Sequence, residues 1–438
     1  MISITYGAEA LVLSFLMPVL QSEWNLTPIQ QSMLGSSTFV GFFIGCLLSG
    51  QLADRFGRRC PLLYSVLFHF LFGLASGFAQ NYNTLAMVRL LYGIAVGILS
   101  TISATYICEI SPAEIRGKVL VFTGMFFTLG EMITCVVAFV FLNDFSSGNW
   151  RALVIWTAFP GMITYILMLI YLKESPRYLL IFQNFDDAFK MINRMIRKNN
   201  KSKRISLTQE EKDLLKRWAL KQAHLHKGNV LANPMELFQA ERCKITPLIW
   251  IIWYVLSCTY DGIVFVLPTI LRDLNIGKSS HSEFFTIFFS VLAEFPSSII
   301  SYFIIEHHSF GRKYSLIYTM ALSCVSCFMA FGIGNDSFIL AATSARFWLN
   351  MAWNIIYPFT TEVYPTNVRA TGLGIASAFS RIGGMTMPWI TIACLRIGNT
   401  GPFLIFGILC FLAMICSIKL PYDTTGMELD QEKEDDEI

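Results

Sequence analysis

Charged residues are scarce in this chain. Of its 438 residues, 14% are charged and 54% are hydrophobic, and the mean hydropathy is +0.53. A soluble domain carries about 25% charged residues, so this composition excludes a water-soluble globular protein. Lipid is therefore the expected environment, and the same hydropathy argues against a nucleic-acid-binding protein.

Patterns that form catalytic or metal sites are also missing. The 11 cysteines are scattered, mostly within apolar segments, without the paired spacing of disulfides or metal ligands,. The stretch Gly372–Gly374 follows no strand, so it is not a dinucleotide-binding loop,. The first apolar stretch contains Glu9 and lacks a small-residue cleavage site, so no cleavable signal peptide is expected,. The sequence predicts no enzyme, no cofactor and no metal site.

Long apolar segments, in contrast, are abundant. A helix of about 20 apolar residues crosses the roughly 30 Å hydrocarbon core of a bilayer. Such segments occur at 1–20, 29–52, 60–79, 84–107, 118–142, 151–173, 245–270, 283–305, 314–333, 337–361, 369–395 and 401–420. The sequence thus predicts an all-α membrane protein with 12 transmembrane helices: a six-helix bundle at 1–173, a cytoplasmic insert with short helices at 174–244, a second bundle at 245–420 and an acidic, disordered cytoplasmic tail at 421–438.

The distribution of Lys and Arg predicts the orientation. Of the 33, 26 lie on the side that holds both termini and the insert, and four lie on the other side. Cytoplasmic loops carry the excess of Lys and Arg, so both termini and the insert are predicted to be cytoplasmic. We expect a monomeric, multi-pass protein in contact with membrane lipid. Its location is predicted to be the plasma membrane or an intracellular vesicle or vacuole membrane.

Two features of the insert predict short surface helices. Phe185, Phe189, Ile192 and Ile196 form an apolar stripe at helical spacing,. The segment 208–211 reads as a capping box that opens another helix,. The insert is either a solvated linker with loose helices or a cytoplasmic layer that supports a gate.

One sequence motif occurs twice, once in each half of the chain. Glu109 is followed by Pro three residues later and by Arg116, and Glu362 is followed by Pro three residues later and by Arg369. Each copy follows a long apolar segment. A duplicated hinge between membrane helices indicates two structural repeats, and two repeats in a bilayer indicate a transporter.

A polar loop between the second and third apolar segments is the clearest gating motif. Gly50 permits close helix approach, Asp54 and its neighbour Arg55 lie near a helix end, and Gly57 and Arg58 form the following turn. An ion pair made only when this side is closed would belong to one state of a two-state switch.

The equivalent loop of the second half is altered. Glu306 and Arg312 flank a longer spacing, in which glycine comes five residues after the acid rather than three. Equal gating by the two halves is therefore not expected.

The loop from Gly50 to Arg58 resembles the signature of the major facilitator superfamily. Arg89 in helix 4, the stretch from Glu174 to Arg177 and the two Glu hinges look like the sugar-porter and organic-ion branch. The segments 292–296 and 380–388 look most like synaptic vesicle 2-related proteins. This resemblance covers essentially the whole chain. It implies two six-helix halves with a substrate site near the midplane.

Ionisable groups inside the membrane are the best functional candidates because each is costly to bury unpaired. They are Glu9, Arg89, Glu131, Asp261, Glu294, Arg346 and Arg381. Arg89 and Arg346 are expected to form charge relays with neighbouring carboxylates and to act in gating. If transport is proton-driven, the proton carrier is Glu9, Glu131 or Glu294, with Glu131 favoured.

Arg381 is the candidate substrate anchor, since it lies in helix 11 beside two glycines. In the resembling organic-ion families, this place tends to hold Asp in cation carriers and Arg in anion carriers. Asp261, Tyr260, Trp253 and Glu9 complete the predicted substrate site. A structural pair of Arg381 with an acid is the competing interpretation, and Asp261 could instead bind a cation.

The sequence therefore predicts a transporter of a small organic solute that works by alternating access, with an organic anion or zwitterion favoured. The alternative is a transport-deficient sensor or vesicle-trafficking scaffold on the same fold.

Overall fold

The computed structural model describes residues 1–112, 116–144, 147–199, 206–228, 237–238, 242–273, 280–305, 311–332, 335–364 and 369–423. The helices of the first half are α1 (Ile2–Ala10), α2 (Val12–Trp24), α3 (Pro28–Phe56), α4 (Arg59–Ser76), α5 (Tyr82–Ile110), α6 (Arg116–Phe141) and α7 (Trp150–Tyr171). Those of the insert are α8 (Pro176–Ile181), α9 (Phe185–Asn199) and α10 (Gln209–Gly228). Those of the second half are α11 (Arg242–Asp273), α12 (Ser280–Leu292), α13 (Glu294–Ile304), α14 (Arg312–Gly332), α15 (Asn335–Val363), α16 (Arg369–Cys394) and α17 (Gly401–Ile418).

These helices confirm the predicted fold class of 12 membrane crossings in two halves. Within the described residues, ten spans are long and apolar enough to cross a membrane by length and composition. The other two crossings are α15 and α16, which are long enough but carry polar side chains such as Arg346 and Arg381. The outer surface is apolar, with Tyr171 and Phe303 at least 70% exposed, as expected of a lipid-facing surface.

Two of the predicted segments are broken helices. The first crossing is interrupted at Leu11, between α1 and α2, and the eighth at Ala293, between α12 and α13. Glu9 lies just before the first break, and Glu294 is the first residue after the second. Broken helices inside a membrane protein are tolerated where they line a cavity or a binding site. Both breaks therefore indicate that a cavity or binding site lies next to Glu9 and Glu294.

Glycines set the close approach of helices α3 and α5. A Cβ atom on Gly93 would collide with the backbone of Thr38, and one on Gly97 with the backbone of Phe42. Gly41 contacts α5 in the same way. The Gly93-x-x-x-Gly97 spacing is therefore a helix-packing motif,.

We call the side that holds both chain termini the termini side. The two halves meet away from it, where α3 packs on α16. Ser36 donates a hydrogen bond of 2.7 Å to the carbonyl of Met385, and Gly384 packs on the ring of Phe39. At the termini-side end of α3, Gly50 has no atom within 4 Å of an added Cβ. The close approach expected at Gly50 is therefore not made in this conformation.

The insert helices pack on one another. Leu180 of α8, Ala188 of α9 and Ala219 of α10 form a small buried cluster. The predicted apolar stripe contributes Phe185, Phe189 and Ile192 to the packing around it.

The predicted capping box is also present in the insert. The Thr208 amide donates to Glu211, and the Glu211 amide donates to the Thr208 hydroxyl. Outside the membrane, a hydrogen bond from Lys190 lowers the pKa of the exposed Asp187,.

One short element departs from an all-helical chain. Residues Leu142–Asp144 and Ser147–Gly148 form strands β1 and β2, a small antiparallel pair between α6 and α7. It closes a connection on the side opposite the termini.

Two native cysteines offer a test of orientation. Cys60 and Cys243 are exposed and lie at the termini-side ends of α4 and α11. We expect a membrane-impermeant maleimide to label them only after cells are permeabilised. A cysteine introduced as Thr27→Cys on the opposite side should react in intact cells, and its failure to differ from Cys60 would contradict a cytoplasmic position of the termini.

Candidate functional site

A buried ion cluster joins the two halves at the centre. The Arg346 guanidinium of α15 contacts Glu131 of α6 through Nη2 and lies 2.5 Å from Glu294 of α13 through Nε. All three side chains are 0% exposed. One cation thus faces two carboxylates, one from each half of the molecule.

Glu294 is well supplied with hydrogen-bond donors. Tyr260 donates to its Oε1 at 2.8 Å, and Asn350 and Thr128 donate to its Oε2 at 3.2 Å each. Glu131 is not: its Oε1 is buried without a hydrogen-bond partner. The cluster is therefore asymmetric: both oxygens of Glu294 accept hydrogen bonds, whereas only one oxygen of Glu131 has a partner.

A second buried pair lies within the first half. Arg89 of α5 donates to Glu9 at 3.1 Å, and Thr157 donates to the other oxygen of Glu9 at 3.5 Å. The Arg89 guanidinium also lies 5.4 Å from the ring centre of Tyr92. The structure thus pairs Arg89 and Arg346, the two arginines predicted to form charge relays, with carboxylates.

Two neighbouring cavities that share lining residues occupy the space between the halves. The large cavity has a volume of about 250 Å³ and extends to Ile2, Ile107 and Leu120, next to the termini-side ends of their helices. The small cavity, of about 80 Å³, lies deeper. The side chains that line both are Tyr6, Val96, Phe127, Tyr260 and Asp261.

Arg381 is the cationic side chain of the large cavity. It is buried, and its guanidinium carbon lies 3.6 Å from the ring centre of Phe42. Its Nε has no hydrogen-bond partner, and the phenol groups of Tyr6 and Tyr357 lie beside it. Among the described residues, no carboxylate lies within the 4 Å of an ion pair with Arg381.

The competing interpretation of Arg381 as a member of a structural pair finds no partner among the predicted acids. Glu9 binds Arg89, and Glu131 binds Arg346. Asp261 lines both cavities but accepts a hydrogen bond of 2.6 Å from Ser257, one turn earlier on the same helix. Asp261 and Arg381 interact only at longer range.

One predicted site residue lies elsewhere. Trp253 is fully buried and donates to Thr360 at 2.9 Å, and it is on the wall of neither cavity. Trp253 instead supports Trp353 and Tyr357 from behind, with ring centres 5.4 and 4.6 Å away.

Sequence reasoning missed several lining residues because they carry no charge. They are Tyr6, Asn350, Trp353, Asn354 and Tyr357. The i, i+4 spacing of the two asparagines in the middle of α15 was an available signal,.

A polar network on the termini side connects helices of the first half with one another. Arg58 forms an ion pair with Glu109 at 3.0 Å, whereas its pair with Asp54 is longer, 3.5 Å, and Asp54 is 68% exposed. The Glu174 carboxylate accepts from the Arg58 and Arg59 amides, and so caps α4,. The preceding turn needs a left-handed residue, Gly57 with φ 81°,.

The second half repeats this arrangement with different residues. Arg312 forms an ion pair with Glu362, as Arg58 does with Glu109. Asp423, just after α17, accepts from the Arg312 and Lys313 amides at 2.9 and 3.1 Å and so takes the role of Glu174. Sequence reasoning missed Asp423, although each half ends in an apolar helix followed closely by an acid.

The remaining predicted gating residues are dispersed. Arg55 packs 5.3 Å from the ring centre of Phe56, and Arg177 lies 5.5 Å from that of Trp218 in the insert. Glu306 lies outside the described residues, as do the side chains of Arg116 and Arg369.

The two acids that contact Arg58 give a prediction about gating. Asp54→Asn should change the free energy of unfolding by less than about 1 kcal/mol, because exposed ion pairs contribute little. It should nevertheless slow turnover more than it weakens binding, since the gating motif predicts that Asp54 forms its main ion pair in only one conformation. Glu109→Gln, at a mostly buried pair, should lower stability as well. Thermal unfolding and transport rate of the two variants provide the comparison, and an unchanged rate for Asp54→Asn at normal expression would contradict it.

Comparison with known proteins shows the family to which this chain belongs. The family model described as "Sugar (and other) transporter" matches residues 3–435. The chain belongs to this transporter family. It is accordingly a membrane transporter of the major facilitator superfamily and not an enzyme.

Several relatives of this transporter match over nearly the whole chain. The synaptic vesicle 2-related protein of Bos taurus is 27% identical over 97% of this chain and 77% of its own length. The organic cation/carnitine transporter 7 of Arabidopsis thaliana is 26% identical over 96% of this chain and 89% of its own. The niacin transporter NiaP of Acinetobacter baylyi is 26% identical over 96% and 91%.

A solved structure supports the fold. The xylose transporter XylE from E. coli, in an inward-open conformation, matches with a TM-score of 0.74 at 19% identity, over 98% of this chain and 96% of that one. The match to the synaptic vesicle 2-related protein confirms the resemblance that the sequence motifs indicated.

Proposed function

We propose that this transporter moves a small organic anion, or a zwitterion with a carboxylate, by alternating access. The observation that carries the proposal is the position of Arg381 on the wall of the large cavity, without a carboxylate partner among the described residues. An Arg in a low-dielectric cavity binds a carboxylate bidentately, which compensates its burial.

The rest of the cavity suits a small aromatic or amphipathic acid. Phe42, which lines the small cavity, lies against the guanidinium, and Trp353 and Tyr357 of the large cavity provide apolar faces. Asn350 and Asn354 provide polar groups on one helix face,. Asp261 lies in the same cavity and could accept the positive end of a zwitterion,.

The names of two relatives bear on this chemistry, although one of them names organic cations as well as carnitine. Niacin is a carboxylate at neutral pH, and carnitine is a zwitterion that ends in a carboxylate. The conformation, in which the large cavity reaches the termini side and α3 packs on α16 at the other, supports alternating access with an inward-facing state.

Uptake into proteoliposomes is the test of this function. Radiolabelled organic anions, zwitterions, cations and sugars are offered singly to the purified protein. We expect accumulation of one or more carboxylates. No uptake of any class, with correctly inserted protein, would favour the alternative of a sensor or vesicle-trafficking scaffold.

A further inference from the structure

The two buried ion clusters differ in their charge balance. Arg89 faces a single carboxylate, Glu9, so that pair is neutral as it stands. Arg346 faces two carboxylates, Glu131 and Glu294, and all three side chains are fully buried. An uncompensated charge in a membrane interior costs several kcal/mol, so the second cluster is balanced only if it holds one proton.

We propose that Glu131 and Glu294 share one exchangeable proton, and that this proton controls the contact between the two halves of the transporter. Glu131 belongs to α6 in the first half, whereas Glu294 and Arg346 belong to α13 and α15 in the second. The proton therefore sits at the one place where an ion pair bridges the halves among the described residues.

The hydrogen-bond pattern shows which oxygen is open to the proton. Both oxygens of Glu294 accept hydrogen bonds from neutral donors or from Arg346. Glu131 Oε1 has no partner, and Glu131 lines the small cavity. The small cavity shares Tyr260 and Asp261 with the large one, which gives a polar route to the termini side.

Other titratable groups near the cluster set limits on this assignment. Asp261 and Tyr260 approach it from α11, and Cys135 lies one turn from Glu131 on α6. Across the small cavity stand Glu9 and Arg89, which neutralise one another. None of these supplies the missing positive charge, because the one further cation of the small cavity already has its carboxylate.

Loss of the proton would strengthen the bridge. With both acids ionised, Arg346 binds Glu131 of the other half as one ion of a charged pair. Protonation at Glu131 replaces that ion pair by a hydrogen bond between the Arg346 cation and a neutral acid, and makes separation of the halves along α6 less costly. The proton is thus predicted to shift the equilibrium between conformations, which is the part of this inference that rests on the proposed transport function.

Infrared spectroscopy of the reconstituted protein tests the proton itself. The wild type at neutral pH should show the carbonyl stretch of a protonated carboxylic acid in a dry site. Glu131→Gln or Glu294→Gln should remove that band, whereas Glu9→Gln should retain it. Asp261→Asn identifies any contribution from Asp261. Survival of the band in both cluster variants, its loss in Glu9→Gln, or its absence from the wild type would overturn the proposal.

Distance measurements test the coupling. Spin labels at the termini-side ends of α3 and α16 should report distances whose populations change with pH in the wild type. Glu131→Gln, which is permanently neutral, should abolish that pH dependence, and Glu9→Gln should keep it. A pH dependence that persists in Glu131→Gln would refute the coupling. Neither readout needs a substrate, so a failed uptake screen would count against the proposed function without deciding this inference.

Discussion

Replacement of Arg346 by Gln should be among the most damaging single changes to this protein. It would leave Glu131 and Glu294 buried beside each other with no cation. Breaking a buried pair by removing one partner costs about 3–5 kcal/mol. We expect a strongly lowered unfolding temperature in detergent, together with loss of transport.

A charge-matched variant separates the electrostatic cause from lost packing. Arg346→Gln combined with Glu131→Gln and Glu294→Gln removes all three charges and keeps polar side chains of similar size. This triple variant should recover most of the thermal stability but no pH dependence. If Arg346→Gln alone unfolds at the wild-type temperature, the cluster does not hold the halves together.

Replacement of Arg381 by Ala should have the largest effect on substrate recognition. The guanidinium is the cation of the large cavity, and no carboxylate of the described residues forms an ion pair with it. Truncating one member of a buried charged contact costs about 2–5 kcal/mol, which corresponds to a loss of binding of roughly 30-fold or more. Initial uptake rates of a carboxylate substrate over a range of concentrations measure this effect.

The conservative variant and a double-mutant cycle complete this test. Arg381→Lys should recover only part of the affinity, because Lys lacks the bidentate geometry. Asp261→Asn and Arg381→Gln should be nearly additive in thermal stability without substrate, since the two groups form no ion pair,. Strong coupling between them would mean a structural pair and would remove the free positive charge.

Much of the fold followed from the sequence because hydropathy and Lys/Arg placement act through simple physics. Apolar segments long enough to span the bilayer gave the 12 crossings, and the duplicated hinges gave the two halves. The breaks at Leu11 and Ala293 were not predicted. No proline or glycine stands at either break position, and a single buried acid beside each break, Glu9 or Glu294, does not by itself indicate an interrupted helix.

The candidate site was predicted less completely. Intramembrane charge was a reliable signal, and the structure brings Arg381 and Asp261 to one cavity. Which acid pairs with which arginine was not predictable, because that depends on how α6 meets α13 and α15. Asp423 was missed for a related reason: its capping of α14 is a tertiary contact between distant parts of the chain.

Uptake of matched pairs of compounds, one with a carboxylate and the other with that carboxylate masked, tests the central claim most directly. Wild-type and Arg381→Ala proteoliposomes are each offered two pairs of compounds. The first pair is nicotinate and its uncharged amide, and the second is carnitine and its methyl ester, which lacks the carboxylate charge and keeps the ammonium group. We predict that the wild type takes up one of the carboxylates in preference to its partner, and that Arg381→Ala loses this preference. Preferential uptake of the ester or of organic cations by the wild type would contradict the assignment of Arg381 as the anchor of a carboxylate.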